Sequence, residues 1–349
     1  MPPRKLKRQL QRHQLLNLML FKATKICFRV FCQTGIIPNV TAIKLMLLAW
    51  MIIHPLTVSA GLGTHRDLLV ADQPASPGPA RTEVRITYLG TNGYLFETRG
   101  VAILIDPYVS RIGLLPAAFN AKIAPDPAQI RSILNRLPKR IDAILVTHGH
   151  IDHLLDAVPI SRATGAQLVA SRSSLLLATP AGATRVRAVA PGDVIRVGRS
   201  TVRVLPAGHD RLFGRIPFPG SRQKPGLAPV RVADWICGEP LAFLVELAGH
   251  RIYVDSGGTL QTDPPQGPVD LAILGVALPD GRARFAQAVR RLEPRYVLPS
   301  HQDNFFRPLG RGFSFGLLTN FPQVRREHAG RHLPGKLILL DYFRPWTLR

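Results

Sequence analysis

The first sixty residues contain no Asp and no Glu, although they hold nine Lys or Arg. Such a stretch cannot pair its charges internally. Cysteine is scarce, at three in 349 residues, and Cys27, Cys32 and Cys237 lack the spacing to one another or to His that a zinc module requires. A disulfide scaffold is excluded too. Long apolar runs are also missing, because the stretch Leu45 to Ile53 breaks at His54-Pro55, short of the ~20 residues that span a bilayer. There is no internal repeat at the level of sequence identity. What is present is an apolar share of 46%, enough for a large core, with 31 prolines and 29 glycines that imply many turns.

Net charge is +23, and residues 61–349 retain 36 basic against 22 acidic groups. The folded part should therefore attract anions, whether phosphates, acidic lipid or nucleic acid. Lys44, the apolar run and the small residues Val58-Ser59-Ala60 follow the order of a secretory signal, with cleavage expected near Ala60 in preference to a retained membrane anchor over 43–60. The protein is then exported, periplasmic or membrane-associated; it is cytoplasmic if the leader is not a signal. About 40 residues precede the apolar run where signals carry only a few, which initiation near Val40 or Ile43 would explain. Alternatively, residues 6–32 form a membrane-surface helix or remain unstructured. The organisation expected is a basic leader over 1–60, a linker over 61–80 marked by Pro74, Pro77, Gly78 and Pro79, and a catalytic domain over 81–349.

Within that domain, Val84 to Leu89 alternates as a strand, Gly90-Thr91-Asn92-Gly93 turns, and Tyr94 to Glu97 and Val101 to Ile105 continue a meander. Asp126-Pro127 starts a helix, with Ile130, Ile133, Leu134 and Leu137 at helical spacing. A strand over 141–146 delivers the chain to Thr147, and a helix runs from about Asp152 to Gly165. Strands are then expected over 167–170, 185–189, 194–197, 201–205, 241–247, 251–255, 269–276, 296–299 and 337–340, with a helix over 283–292. Two strand-rich halves with helices between them predict an α+β protein, a β-sandwich covered by helices on both outer faces.

His148, His150, Asp152 and His153 place four ligand-type side chains within six residues, directly after a strand. Two imidazoles two residues apart in an extended loop can hold one metal, and the next pair faces a neighbouring position. The set suits zinc, and iron or manganese also fit. The segment resembles the His-x-His-x-Asp-His motif of the metallo-β-lactamase superfamily. That resemblance implies a four-layer αββα sandwich and two divalent metal ions. His148, His150 and His209 would hold one metal, Asp152, His153 and His301 the other, and Asp255 would bridge with a hydroxide that attacks the substrate. Each of the later three ligands follows a strand. Asp152 would also orient the nucleophile and move a proton, which makes it the catalytic residue. Asp106, at a strand end, can accept a ligand imidazole N–H or simply form a turn.

Tyr88 to Glu97 and Ile103 to Pro107 resemble the branch of the superfamily with N-acyl-phosphatidylethanolamine phospholipase D and L-ascorbate 6-phosphate lactonase. The expected activity is hydrolysis of a phosphate-bearing ester, a phosphodiester of phospholipid-like character. Lactone or other carboxylic ester hydrolysis is the alternative, and a non-catalytic membrane-associated metal-binding scaffold is the rival from another class. Between His209 and Leu241, Arg211, Arg215, Arg222, Lys224 and Arg231 mingle with Phe213, Phe218 and Trp235, a composition suited to a small anionic or lipid-like substrate. Only 45 residues separate Asp255 from His301, leaving no room for the large insert of RNA-cleaving relatives, so a nucleic-acid partner is not expected. Membrane association is expected through the leader.

Overall fold

The computed structural model describes residues 61–72 and 79–349, apart from Phe213 and positions 258–259, 262–264, 279–280, 317–318 and 320. The signal or anchor expected in the leader, and the linker prolines Pro74 and Pro77, lie outside the described residues. Among those described, no helix is long and apolar enough to cross a membrane.

Two seven-stranded sheets form the centre. The first is built from β1 (Val84–Gly90), β2 (Gly93–Glu97), β3 (Ala102–Ile105), β4 (Ala143–Leu145), β5 (Gln167–Ala170) and β6 (Val186–Ala188), with β14 (Trp346–Leu348) beside β1. The second is built from β7 (Val194–Val197), β8 (Ser200–Pro206), β9 (Leu241–Leu247), β10 (His250–Asp255), β11 (Leu271–Gly275), β12 (Tyr296–Ser300) and β13 (Lys336–Leu337), in sequence order. Each sheet joins an antiparallel part to a parallel part, the change falling at β3–β4 in one and β10–β11 in the other.

Why two layers of strands form is visible in β3. Ile103 and Ile105 face the core between the sheets, while Ala102 and Leu104 face the outer helices. A strand buried on both faces must be apolar throughout rather than alternating. The outer face of the first sheet is covered by α2 (Pro127–Leu134), α3 (Ala157–Thr164) and α4 (Arg172–Ala178), and that of the second by α5 (Gly281–Leu292) and α6 (Phe321–Gly330). A short α1 (Leu114–Ala118) contributes no buried residue. The architecture is the α+β four-layer αββα sandwich.

Several elements depart from the sequence-based expectation. The helix expected from Asp152 begins instead as one π turn, Ile151–Leu155, before α3. The strand expected over 337–340 pairs only at Lys336–Leu337 and continues as a single bridge from Leu339 to Leu69. Residues 61–72, expected to be linker, pack on the domain. Leu62 and His65 are buried there, the His65 ring standing edge-on to Phe315 and Phe321, and Arg325 binds Asp67 through two nitrogens. Asp72 accepts from Thr347 N at 3.1 Å and Thr347 Oγ1 at 2.5 Å, tying the segment to β14. The proline-rich composition of 74–79 masked an apolar pattern that precedes it.

If residues 61–72 belong to the domain, Asp72→Ala should lower the free energy of unfolding by about 1–3 kcal/mol, since two donors on β14 lose their acceptor. Urea unfolding should show an earlier midpoint at unchanged slope. An unchanged midpoint would make the segment an ornament.

Candidate metal centre

The motif is placed by its first residue. Val146 N still donates to Val169 O in the sheet, but Thr147 N and Oγ1 both donate to the Asp106 carboxylate at the end of β3, at 2.8 and 2.5 Å. His148 and His150 follow with Gly149 between them. Gly149 N donates to Cys237 O at 2.9 Å, and a Cβ on Gly149 would lie 2.3 Å from Ile236 O. Only glycine lets the 236–237 backbone sit that close. The π turn then carries Asp152 and His153; such turns bring side chains into positions an α-helix does not offer.

From the second sheet, His209 follows β8, and His301 follows β12 with φ +57°, its amide donating to Thr91 O at 2.8 Å. Two groups of donors result. One nitrogen each of His148, His150 and His209 lie within 4.8 Å of one another, as do one donor each of Asp152, His153 and His301. The groups adjoin, since the rings of His148 and His153 are 3.9 Å apart. Six of the seven expected ligands are thus brought together. The seventh, Asp255, is buried at the end of β10 and outside both groups; it accepts from Gly257 N at 2.9 Å and Tyr253 Oη at 3.3 Å. Its neighbour Ser256 reaches within 3.4 Å of His148 Nδ1.

The electrostatics suit a cation. Burial, reinforced by neighbouring imidazoles, keeps His148 neutral and pulls His150 down to about 4 and His209 to about 2, so their nitrogen lone pairs are free over the ordinary pH range. Burial opposes the Asp152 charge, yet His153 and His301 together hold its carboxyl well below the usual carboxylate range; His301 Nε2 stands 2.8 Å from Oδ2. Burial likewise opposes a charge on His153, but Asp152 and Asp106 raise it to about 10. Three neutral imidazoles facing one another beside a buried carboxylate are a donor set that fits divalent metal. Burial, with Glu239 and Asp152, pushes the Cys237 thiol up to about 12, so it is no nucleophile.

Residues 85–301 match the Beta-lactamase superfamily domain. The chain belongs to the metallo-β-lactamase superfamily. It is 30% identical over 247 residues to a UPF0173 metal-dependent hydrolase of Anaeromyxobacter sp. (strain K), covering 66% of this chain and 79% of that protein. To the corresponding protein of Myxococcus xanthus (strain DK1622) it is 27% identical over 282 residues, 76% of this chain and 87% of that one. The fold is similar to that of Igni18, a metallo hydrolase of Ignicoccus hospitalis KIN4/I, with a TM-score of 0.53 at 19% identity, over 76% of this chain and 99% of that one. The protein is a metal-dependent hydrolase.

Around the ligands of this metallo-hydrolase lies a buried frame that only the structure reveals, apart from Asp106. Asp106 binds His153 Nδ1 at 2.7 Å, the acceptor role anticipated for it. Asn92, Arg111, Asp303, Asp210 and Arg284 carried no sequence signal. Asp210, next to His209, pairs with Arg284 of α5. Asp303 accepts from Thr91 N at 2.9 Å and from Tyr342 Oη at 2.5 Å, and its Oδ2 lies 2.9 Å from Nη2 of the fully buried Arg111, whose guanidinium sits over the Tyr108 and Tyr342 rings. Because Thr91 O receives the His301 amide, the Arg111–Asp303 pair holds the backbone that aims His301.

Removing one partner leaves the other charge buried, so Asp303→Asn should cost about 3–5 kcal/mol of stability. Zinc affinity at the Asp152, His153 and His301 group should fall roughly 10–100-fold. Urea unfolding of the apoprotein and competitive zinc titration read the two effects. Unaltered zinc binding in a destabilised variant would show that the pair supports the fold alone.

Proposed function

We propose that this protein hydrolyses a phosphodiester of phospholipid-like character, using two divalent metal ions, zinc being the best match to the donors. The observation that carries the reading is the basic and aromatic loop over the metal centre. Phe218 O lies 3.5 Å from His150 Nε2, the Phe218 ring is 6.4 Å from the His150 ring, and Cys237 N donates to Phe218 O at 3.0 Å. Exposed Arg211, Arg215, Lys224 and Arg231 stand on the same loop. A guanidinium or ammonium there matches a phosphate, and the Phe218 ring matches an apolar substituent. The resemblance of Tyr88 to Glu97 and Ile103 to Pro107 to a phosphate-handling branch agrees with this substrate class. Export through the leader would place the activity outside the cytoplasm.

His148, His150 and His209 would hold one ion and Asp152, His153 and His301 the second, while Asp255 stands at the end of β10 outside both groups. Bound metal would lower the pKa of water toward neutrality and polarise the scissile ester. The chain supplies the rest. Asp152 is kept ionised, so its carboxylate can orient the attacking water and take its proton. Asp106 holds the His153 ring by Nδ1, leaving Nε2 to face the ligand group. The loop residues fix the phosphate relative to Asp152.

Purified protein should cleave bis(p-nitrophenyl) phosphate, and Asp152→Ala should reduce kcat by roughly 10²–10⁴-fold. Lactone and carboxylic ester substrates run alongside decide the alternative: turnover of those without phosphodiester cleavage refutes the proposal. Metal content with no turnover of any ester would favour a scaffold.

Loading with metal should also release protons in a defined pattern. His153, raised to about 10, carries a proton at pH 7.5 that it must lose to become a ligand, whereas His150 and His209, at about 4 and about 2, have none to lose. Calorimetric zinc titrations in buffers of different ionisation enthalpy should report proton release on loading the group that contains His153 and close to none for the other. The reverse assignment would contradict the electrostatics described for the site.

A further inference from the structure

Seven large apolar side chains are exposed among the described residues, and five of them, Leu115, Phe119, Phe218, Leu227 and Val230, come from two segments. The other two, Val186 and Val194, lie on the edge strands β6 and β7. The two segments are knitted together: Ile123 N donates to Val230 O at 2.8 Å, Val232 N to Ala121 O at 3.2 Å, and Ala233 N to Asn120 Oδ1 at 2.8 Å. Lys122 and Arg231 face each other in an antiparallel bridge. α1 and the loop after His209 therefore belong to one surface. Leu227 is 89% exposed, Phe119 57% and Leu115 55%, which a merely solvated loop does not require.

Exposed cations outnumber the acids on this surface. Lys122, Arg211, Arg215, Lys224 and Arg231 are exposed. The nearby acids are engaged: Asp126 caps α2, Asp234 accepts from Val230 N and Arg231 N, Glu239 binds Ser221, and Asp210 is buried against Arg284. The surface also reaches the metal centre, through Phe218 beside His150.

We propose that this surface docks the catalytic domain on an anionic lipid bilayer, Leu115, Phe119 and Leu227 entering the headgroup boundary while Lys122, Arg215, Lys224 and Arg231 meet acidic headgroups. The mouth of the metal centre then opens at the membrane. The aliphatic Leu115, Leu227 and Val230 gain from lipid and have no counterpart on a polynucleotide. The proposal extends the phospholipid-like reading of the substrate to the surface on which that substrate resides, and it is tested without turnover, so that either can fail alone.

Full-length protein carrying Cys27→Ser and Cys32→Ser, with an environment-sensitive NBD label at Leu227→Cys, is mixed with phosphatidylcholine vesicles with and without phosphatidylserine. A label at Val194→Cys is the reference. Emission from position 227 should shift to the blue with the anionic vesicles only, revert as salt is raised, and stay unshifted at position 194. Lys122→Ala and Lys224→Ala should each lower the partition coefficient by roughly fivefold. No shift at position 227 overturns the proposal, including the case in which the leader alone captures the vesicles; so does an equal shift at position 194, or binding of single-stranded RNA without a vesicle response. Asp152→Ala should bind vesicles like the parent protein, so an absent phosphodiesterase activity would remove the substrate assignment and leave the docking surface standing.

Discussion

One buried carboxylate sets the geometry on which the metal centre depends. Asp106 is fully buried, has φ +38°, and accepts from Asn92 Nδ2, Thr147 N, Thr147 Oγ1 and His153 Nδ1, all within 2.8 Å. Taking a carboxylate out of water costs several kcal/mol unless its lone pairs are met by donors, and here they are met by donors from separate pieces of chain. Asn92 passes the constraint on, its Oδ1 accepting from Ser300 Oγ at 2.7 Å, one residue before His301. A single acceptor thus connects the motif of the first sheet with the last ligand of the second. The backbone strain at Asp106 is tolerable because asparagine and aspartate visit the left-handed region more readily than other side chains.

The two sheets repeat a plan that their sequences do not share. In each, an antiparallel meander is followed by parallel strands, and the ligands leave from strand ends. Each donor group draws on both sheets: His148 and His150 follow β4 and His209 follows β8, while Asp152 and His153 follow β4 and His301 follows β12. Neither half holds a complete group, so sheet packing, driven by the apolar layer of Ile103, Ile105, Phe243, Val254 and their neighbours, is also what assembles the site.

What the sequence discloses follows from how local the cause is. β5, β7 and β9 have the bounds expected from alternation and flanking turns, and α2 begins where Asp126 accepts from Ala128 N and Gln129 N. The ligands could be read because their side-chain types are chemically unusual in that density. β14 could not, being three residues long and dependent on distant partners, β1 and Asp72. α4 was hidden for a related reason, since its Ser173 is held by a distant loop, Oγ accepting from Arg222 N at 2.7 Å and N donating to Glu239 Oε2 at 3.3 Å. Arg111 and Asp303 are ordinary surface residue types whose roles arise from contacts distant in sequence, with each other and with Thr91 and Tyr342, and no spacing announces that.

The placement of β14 beside β1 bears on how the protein comes to exist in a cell. On the ribosome β1 emerges early, and its outer hydrogen-bonding edge then waits for nearly the whole domain to be synthesised before its partner appears. Until β14 has been made, that edge is an open template for pairing with another nascent chain. Vectorial synthesis therefore gives this enzyme a long interval of exposure to aggregation, and its yield in living cells should be governed by chaperone supply as much as by the stability of the finished fold.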